Sequence, residues 1–230
     1  MSVASISNLS LALAFLPAVV VIAIMYFWRA GGGTALYATV RMLVQLLLIG
    51  YVLVYIFDTD RWEIIVAVLL VMLLAASWIG IRTESKPGMR SFLFALLAVT
   101  VSGVPILLLV TQVVLDVAPW FKPRYVVPLA GMIFSGSMTT ISIAAERFEA
   151  EKNAGHGWEK ARRAAFEAAM IPVVNSLFAV GLVSLPGMMT GQVLSGVSPL
   201  IAAKYQIVVM TMLFGAAGIS AAIYLLLRKD

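Results

Sequence analysis

The chain has 230 residues and a net charge of +5, with 62% hydrophobic and only 12% charged side chains. A soluble domain of this size carries about a quarter charged residues, so a water-soluble globular fold is excluded. Cysteine is absent and histidine occurs once, as His156. That excludes disulfides, thiolate nucleophiles, Cys-ligated zinc or iron–sulfur centres and any histidine cluster.

The missing charge is concentrated. No charged side chain occurs from Met1 to Trp28, nor from Ala168 to Ala203. Apolar runs of about 20 residues match the hydrocarbon thickness of a bilayer. Only helices or closed barrels satisfy their backbone groups there, and the alternation of barrel strands is missing. The fold class expected is an all-α integral membrane protein, one transmembrane domain over residues 1–230 with seven spanning helices.

The first span covers about 8–28. It lacks a basic leader and is too long for the apolar core of a signal peptide, so it reads as a retained span. After Gly31-Gly32-Gly33 the second runs over about 34–57. It carries Arg41, the single full charge deep within a span, and Gln45 one turn later on the same face. An arginine at that depth faces protein or a water-filled cavity, or it snorkels to the nearer interface. Spans three to five are expected at about 63–81, 91–115 and 125–145, divided by Asp58–Arg61, Arg82–Arg90 and Asp116–Arg124.

The stretch 146–169 differs in kind. Trp158, Ala161, Ala165, Ala168 and Ala169 share one helical face, with Glu159, Lys160, Arg162, Arg163 and Glu167 on the others. Such an amphipathic helix suits the membrane surface or a soluble partner. The sixth span, about 170–193, contains Pro172, Asn175 and Ser176, and Val183-Ser184-Leu185-Pro186-Gly187-Met188-Met189 interrupts it past the middle. Proline removes a backbone donor and glycine adds freedom. A broken helix at membrane depth is tolerated where it lines a cavity or meets another helix, so the break is either a packing kink or a transport hinge. Gly187 and Gly191 form a small-xxx-small pair that allows close approach. The seventh span is expected at about 205–227. The 12 methionines, including Met132, Met138, Met188 and Met189, fill gaps between helices or offer thioethers to a soft cation.

Basic residues orient the chain. With the N-terminus outside, the inner side holds Arg29, Arg82, Lys86, Arg90, Arg147, Lys152, Lys160, Arg162, Arg163, Arg228 and Lys229, and the outer side holds Arg61, Lys122, Arg124 and Lys204. That asymmetry predicts N-terminus out and C-terminus in. It also accounts for the positive charge without nucleic acid, since no basic stretch is interleaved with aromatics. The sequence contains no Gly-x4-Gly-Lys-Ser/Thr phosphate cradle and no chain of intramembrane carboxylates for a proton relay. A transporter of this composition takes its energy from another chain, or is a passive channel.

Val180-Gly181-Leu182-Val183-Ser184-Leu185-Pro186-Gly187-Met188-Met189-Thr190-Gly191-Gln192 resembles the signature of the FetB-type permeases (UPF0014), ABC-class iron exporters related to a plant permease of aluminium tolerance. Arg41-x3-Gln45-Leu46, Gly50-Tyr51-Val52-Leu53, Pro128-x2-Gly131-Met132 and Ala203-Lys204-Tyr205-Gln206-Ile207 are similar as well. Three departures stand out: the loop between spans five and six is shorter than in the family and matches its coupling segment only in part, Ser135-Gly136-Ser137-Met138 replaces Gly-Asn-x-Met, and Phe178 stands where some members carry a basic residue.

The resemblance implies a permease subunit of the bacterial inner membrane that exports iron or another metal ion. It implies no cofactor in this chain, a FetA-like ATP-binding cassette subunit as partner, and a homodimer of permease chains. Glu149, Ala150, Gly155 and Ala161 would belong to the segment that couples to the ATPase. Arg41, Gln45, Asn175, Ser176, Ser184, Pro186, Gly187, Met188 and Met189 are the candidates for pathway or hinge. No metal ligands can be named. An ABC permease for an organic or anionic solute, with Arg41 as counter-charge, and a membrane scaffold that recruits a soluble partner are the competing readings.

Overall fold

Ser7 opens the first helix, its hydroxyl accepting the Ser10 amide at 3.1 Å, as an N-cap should. The computed structural model describes residues 7–229, which are almost wholly helical. Helix α1 (Asn8–Leu13) is followed by α2 (Leu16–Phe27), with Pro17 in the first turn of α2 where its missing N–H costs nothing. The first expected span is therefore a jointed one. Gly31, at a φ of 81°, supplies the left-handed residue before α3 (Gly32–Phe57).

The chain divides into two compact units between Asp58 and Thr59. The first is the α2–α3 hairpin with α1. Its apolar side chains point outward, Leu47 being 68% and Tyr51 83% exposed. That pattern suits a helix pair bathed in lipid or covered by another chain.

The second unit is built around α6 (Pro123–Asn153), which touches α4 (Trp62–Gly80), α5 (Met89–Leu108), α7 (Trp158–Ala179) and α9 (Pro199–Leu227). The short α8 (Gly187–Leu194) packs on α9, and α5 ends in a wider π-type turn over Leu109–Val114. Small residues let α6 approach its neighbours: Ala130, Ser137, Ala144 and Ala145 are fully buried on it. Ser137 donates across to the Ala216 carbonyl of α9 at 3.4 Å. Opposite α6, Gly103 of α5 leaves no room for a side chain, since a Cβ there would lie 2.9 Å from Ile133 Cγ2 and 3.2 Å from Phe134 Cε1.

Six helical stretches among the described residues are long and apolar enough to span a bilayer: Asn8–Phe27, Gly32–Phe57, Trp62–Gly80, Met89–Val114, Pro123–Asn153 and Pro199–Leu227. These correspond to the expected spans one to five and seven. The segment expected to be the sixth span, 170–193, is not one helix. It is the second half of α7, a turn at Val180–Pro186, and α8.

The stretch 146–169 also differs from expectation. It is not a loop bearing a separate surface helix. Instead α6 continues to Asn153, a short connection follows, and α7 begins at Trp158 and runs unbroken past Met170. Charged residues mark where a span leaves hydrocarbon, but Ala, Glu, Arg and Lys are strong helix formers and carry the helix on. The face bearing Ala161, Ala165 and Ala169 is buried against Ala144, Phe148 and Leu225. It is therefore closed to both lipid and partner. Trp158 is held between cations, with the Arg162 guanidinium 4.4 Å and the Lys229 ammonium 5.6 Å from its ring.

Replacing Gly103 by alanine should force α5 away from α6 and cost about 1–3 kcal/mol, since Ile133 and Phe134 are buried and cannot swing aside. Gly50→Ala, at a helical site with nothing within 4 Å of the added carbon, should be neutral or mildly stabilising. Thermal unfolding of the two variants in one detergent separates these outcomes.

Candidate functional site

The second unit has two structured ends and a seam between them. At one end α4 gives way to α5 through residues 81–88, α6 and α7 form their hairpin, and α9 terminates. Glu84, whose side chain is 1% exposed, is the centre of that end. Both the Tyr224 hydroxyl and Arg228 Nη1 donate to its Oε1, the latter at 2.8 Å. Arg228 Nη2 reaches on to Glu149 Oε1 at 3.5 Å. The other Glu149 oxygen accepts from the Ser85 amide and hydroxyl, each at 2.9 Å. Backbone capture adds to the clasp: Thr83 donates to the Ser142 carbonyl and Ser142 to the Gly80 carbonyl, each at 2.9 Å. A carboxylate out of water is tolerated only with such partners, so three chain segments are tied at one point.

The tip of the α6–α7 hairpin has its own network. Glu151 accepts from Arg147 at 2.5 Å and meets His156 Nδ1 at 2.5 Å, while Lys160 Nζ lies 2.8 Å from His156 Nε2. Lysine can only donate, so Nε2 accepts and the proton sits on Nδ1, facing Glu151.

The seam runs along α6 and α9 and holds two clefts in succession. The one nearer the charged end, about 240 Å³, lies between Ser135, Thr139 and Ile143 of α6 and Met210 and Phe214 of α9, with Pro172 and Ser176 of α7 over it. Beyond it a cleft of about 610 Å³ is bounded by Tyr125 and Met132 of α6 and by Ile201 and Tyr205 of α9, with Met188 and Gln192 of α8 over it. Arg124 also lines this second cleft.

The break in the chain falls where one covering helix hands over to the other. The Ala179 carbonyl collects the amides of Leu182, Val183 and Ser184, at 3.2, 2.8 and 3.1 Å. Gly181 supplies the required left-handed conformation at a φ of 84° and donates to the Ser184 carbonyl at 2.9 Å. Pro186, in extended conformation, then caps α8. Pro172 has no N–H for the Ala168 carbonyl, which weakens α7 one turn before Ser176.

The seam brings together only part of the sequence-derived candidates. Ser176 and Met188 line its clefts, with Pro186 and Gly187 at the helix start beside Met188. Asn175 and Ser184 are exposed, and Met189 is half-buried away from both cleft linings. Arg41 and Gln45 are exposed residues of the first unit. Of the coupling candidates, Ala150 and Gly155 are exposed, Glu149 is engaged by Ser85 and Arg228, and the Ala161 side chain is wholly buried. Ala161 belongs to the buried cluster with Ala144, Phe148 and Leu225. Thr139, Gln192 and Tyr205 line the clefts as well, outside the sequence-derived candidates. Gln192 could have been noticed one turn after Met188, and its Oε1 is buried with no partner among the described residues.

Removing the Arg228 side chain should strand Glu84 and cost about 3 kcal/mol or more, whereas Tyr224→Phe should cost about 1–2 kcal/mol. The E84Q/R228A pair should lose less than the two single losses combined, because the groups share one network. Thermal unfolding of the four detergent-solubilised variants checks this.

The geometry can be set beside known proteins. The chain is 37% identical over 195 residues to the "UPF0014 membrane protein slr1647" of Synechocystis, covering 77% of this chain and 74% of that one. It is 33% identical over 244 aligned positions to the "Probable iron export permease protein FetB" of Escherichia coli, covering 98% of this chain and 92% of that one. It is 34% identical over 219 positions to the "UPF0014 membrane protein STAR2" of rice, covering 87% and 74%. No solved structure matches. The family model described as "Uncharacterised protein family (UPF0014)" matches residues 7–230, and the chain belongs to that family.

Proposed function

We propose that the chain is the membrane-spanning permease subunit of an ABC-type exporter, powered by a separate ATP-binding subunit and moving iron or a related metal ion out of the cytoplasm. The observation that carries this reading is the jointed α7–α8 cover over two successive clefts of the α6–α9 seam. A path covered by one straight helix would be sealed. One covered by two helices joined at Val180–Pro186 can open on either side of the joint. The relative named as a probable iron export permease supports the choice of cargo.

In this reading the second half of α7 and α8 together make the sixth of seven crossings, the N-terminus lies outside, and the charged end faces the cytoplasm of a bacterial inner membrane. The positive-inside bias supports that orientation. The exposed faces of the α6–α7 hairpin, with Ala150 and Gly155, receive the ATPase, and two permease chains assemble with two ATPases. ATP binding to the partner then shifts the population between inward- and outward-open forms, by as much as its affinity for the two differs. Cargo passes Ser176 and Thr139 first, then Met132, Met188, Gln192 and Tyr205. Neutral oxygens and thioethers suit transient contact better than tight capture. Among the described residues no cluster of three His, Asp or Glu side chains forms a holding site.

Vesicles containing the chain and its cognate ATPase should accumulate iron when ATP is supplied. Ser176→Leu should abolish that flux by filling the smaller cleft while leaving the ATPase bound. Gly187 has nothing within 4 Å of an added carbon and is not left-handed, so Gly187→Ala should fold normally. Any flux it loses reports on the joint. ATP-dependent flux of an organic anion with none of iron would transfer the reading to an anion permease. An intact complex with no flux of any solute would leave a scaffold.

A further inference from the structure

We infer that the cleft at the charged end, between the start of α5 and the ends of α6 and α9, is a binding site for a phosphate group, carried by an anionic phospholipid headgroup. The cleft holds about 480 Å³ and is separate from the seam. Lys86, Arg90, Lys152 and Arg228 line it beside the carboxylate of Glu149, and Glu84, bonded to Arg228, is a second carboxylate behind the wall. Glu149 accepts from Ser85 and Arg228, and Glu84 from Tyr224 and Arg228, so four cations stand against two engaged carboxylates and the balance at the wall is positive. Ser91 and Asn153 add neutral hydrogen-bonding groups to the wall.

Depth selects the source of the phosphate. The candidate spans begin at Met89 in α5 and end at Leu227 in α9. Arg90 and Ser91 thus stand in the first turn of one span, and Arg228 directly follows the other. That is the level of headgroups. The remaining wall is Phe94, Phe148 and Leu227, an apolar surface suited to the first methylenes of an acyl chain. Gly88 caps α5 without a side-chain hydrogen bond, and the unpaired amides of a helix start add partial positive charge. A soluble phosphate shares the chemistry but has no use for the apolar wall.

The inference stands whatever the seam transports. Its test is native mass spectrometry of the full chain released from mixed phosphatidylcholine and phosphatidylglycerol micelles. Wild type should retain phosphatidylglycerol in preference. Arg90→Gln with Lys152→Gln should weaken that preference roughly thirty-fold. Lys86→Gln with Lys152→Gln, which leaves the Arg90–Phe94 stacking in place, should do the same. Arg163→Gln, on an exposed face of α7, should not. Excess inorganic phosphate that fails to displace the lipid assigns the site to the headgroup, as proposed. Displacement by it keeps the phosphate site but overturns the lipid as its source. Equal retention of the two lipids by wild type overturns the inference. So does a preference that survives both double substitutions, or one abolished only by adding the ATPase chain, which would make the cleft a protein-docking surface.

Discussion

Lipid tails surround a leucine as comfortably as a protein interior does, so helices in a bilayer are held by how closely they approach rather than by escape from water. In the second unit that constraint falls on α6, which all of α4, α5, α7 and α9 contact. Its buried Ala130, Ser137, Ala144 and Ala145 keep its surface shallow, and Gly103 does the same from the α5 side. The buried Ala161, Ala165 and Ala169 extend this small-residue packing past the charged end of the spans. Because α6 is the common neighbour, both clefts of the seam inherit their shape from it.

Much of the architecture was legible because the bilayer imposes a simple rule on composition. Charge-free runs announced the spans, and Pro172, Pro186 and Gly187 announced that the sixth would break. The extensions of α6 and α7 were not legible from the same rule. Glu146 and Arg147 end a span without ending a helix, and the Arg147–Glu151 pair one turn apart even favours continuation. The alanine face of α7 looked like an amphipathic stripe in search of a surface, and the fold supplies that surface from within the chain. Amphipathicity reports that a face is covered but does not name the cover.

The site was legible only in part, for a related reason. Met188 and Gln192 lie on the motif that draws attention and Ser176 on the helix before it, whereas Thr139 and Tyr205 join them through packing of helices distant in sequence. The Glu84–Arg228 pair spans 144 residues, and no local pattern announces such a contact. Arg41, the most conspicuous charge in the sequence, belongs to the first unit with Gln45. Chemistry conspicuous by rarity and chemistry assembled by topology were different sets of residues.

The continuity of α7 has a mechanical consequence. From Trp158 to Ile171 the helix is an uninterrupted rod of roughly 20 Å. Its buried alanines clamp it to α6, so the hairpin moves as one stiff arm. The first soft joint along that arm is Pro172, and the second is the turn after Ala179. A tilt of roughly fifteen degrees at the hairpin would sweep the far end of the rod by about 5 Å, close to one helical turn. The displacement would arrive at Pro172, one turn from Ser176, as bending concentrated at a single missing hydrogen bond. The chain thus joins a rigid rod from Trp158 to Ile171 to an elbow at Pro172 beside the smaller cleft of the seam.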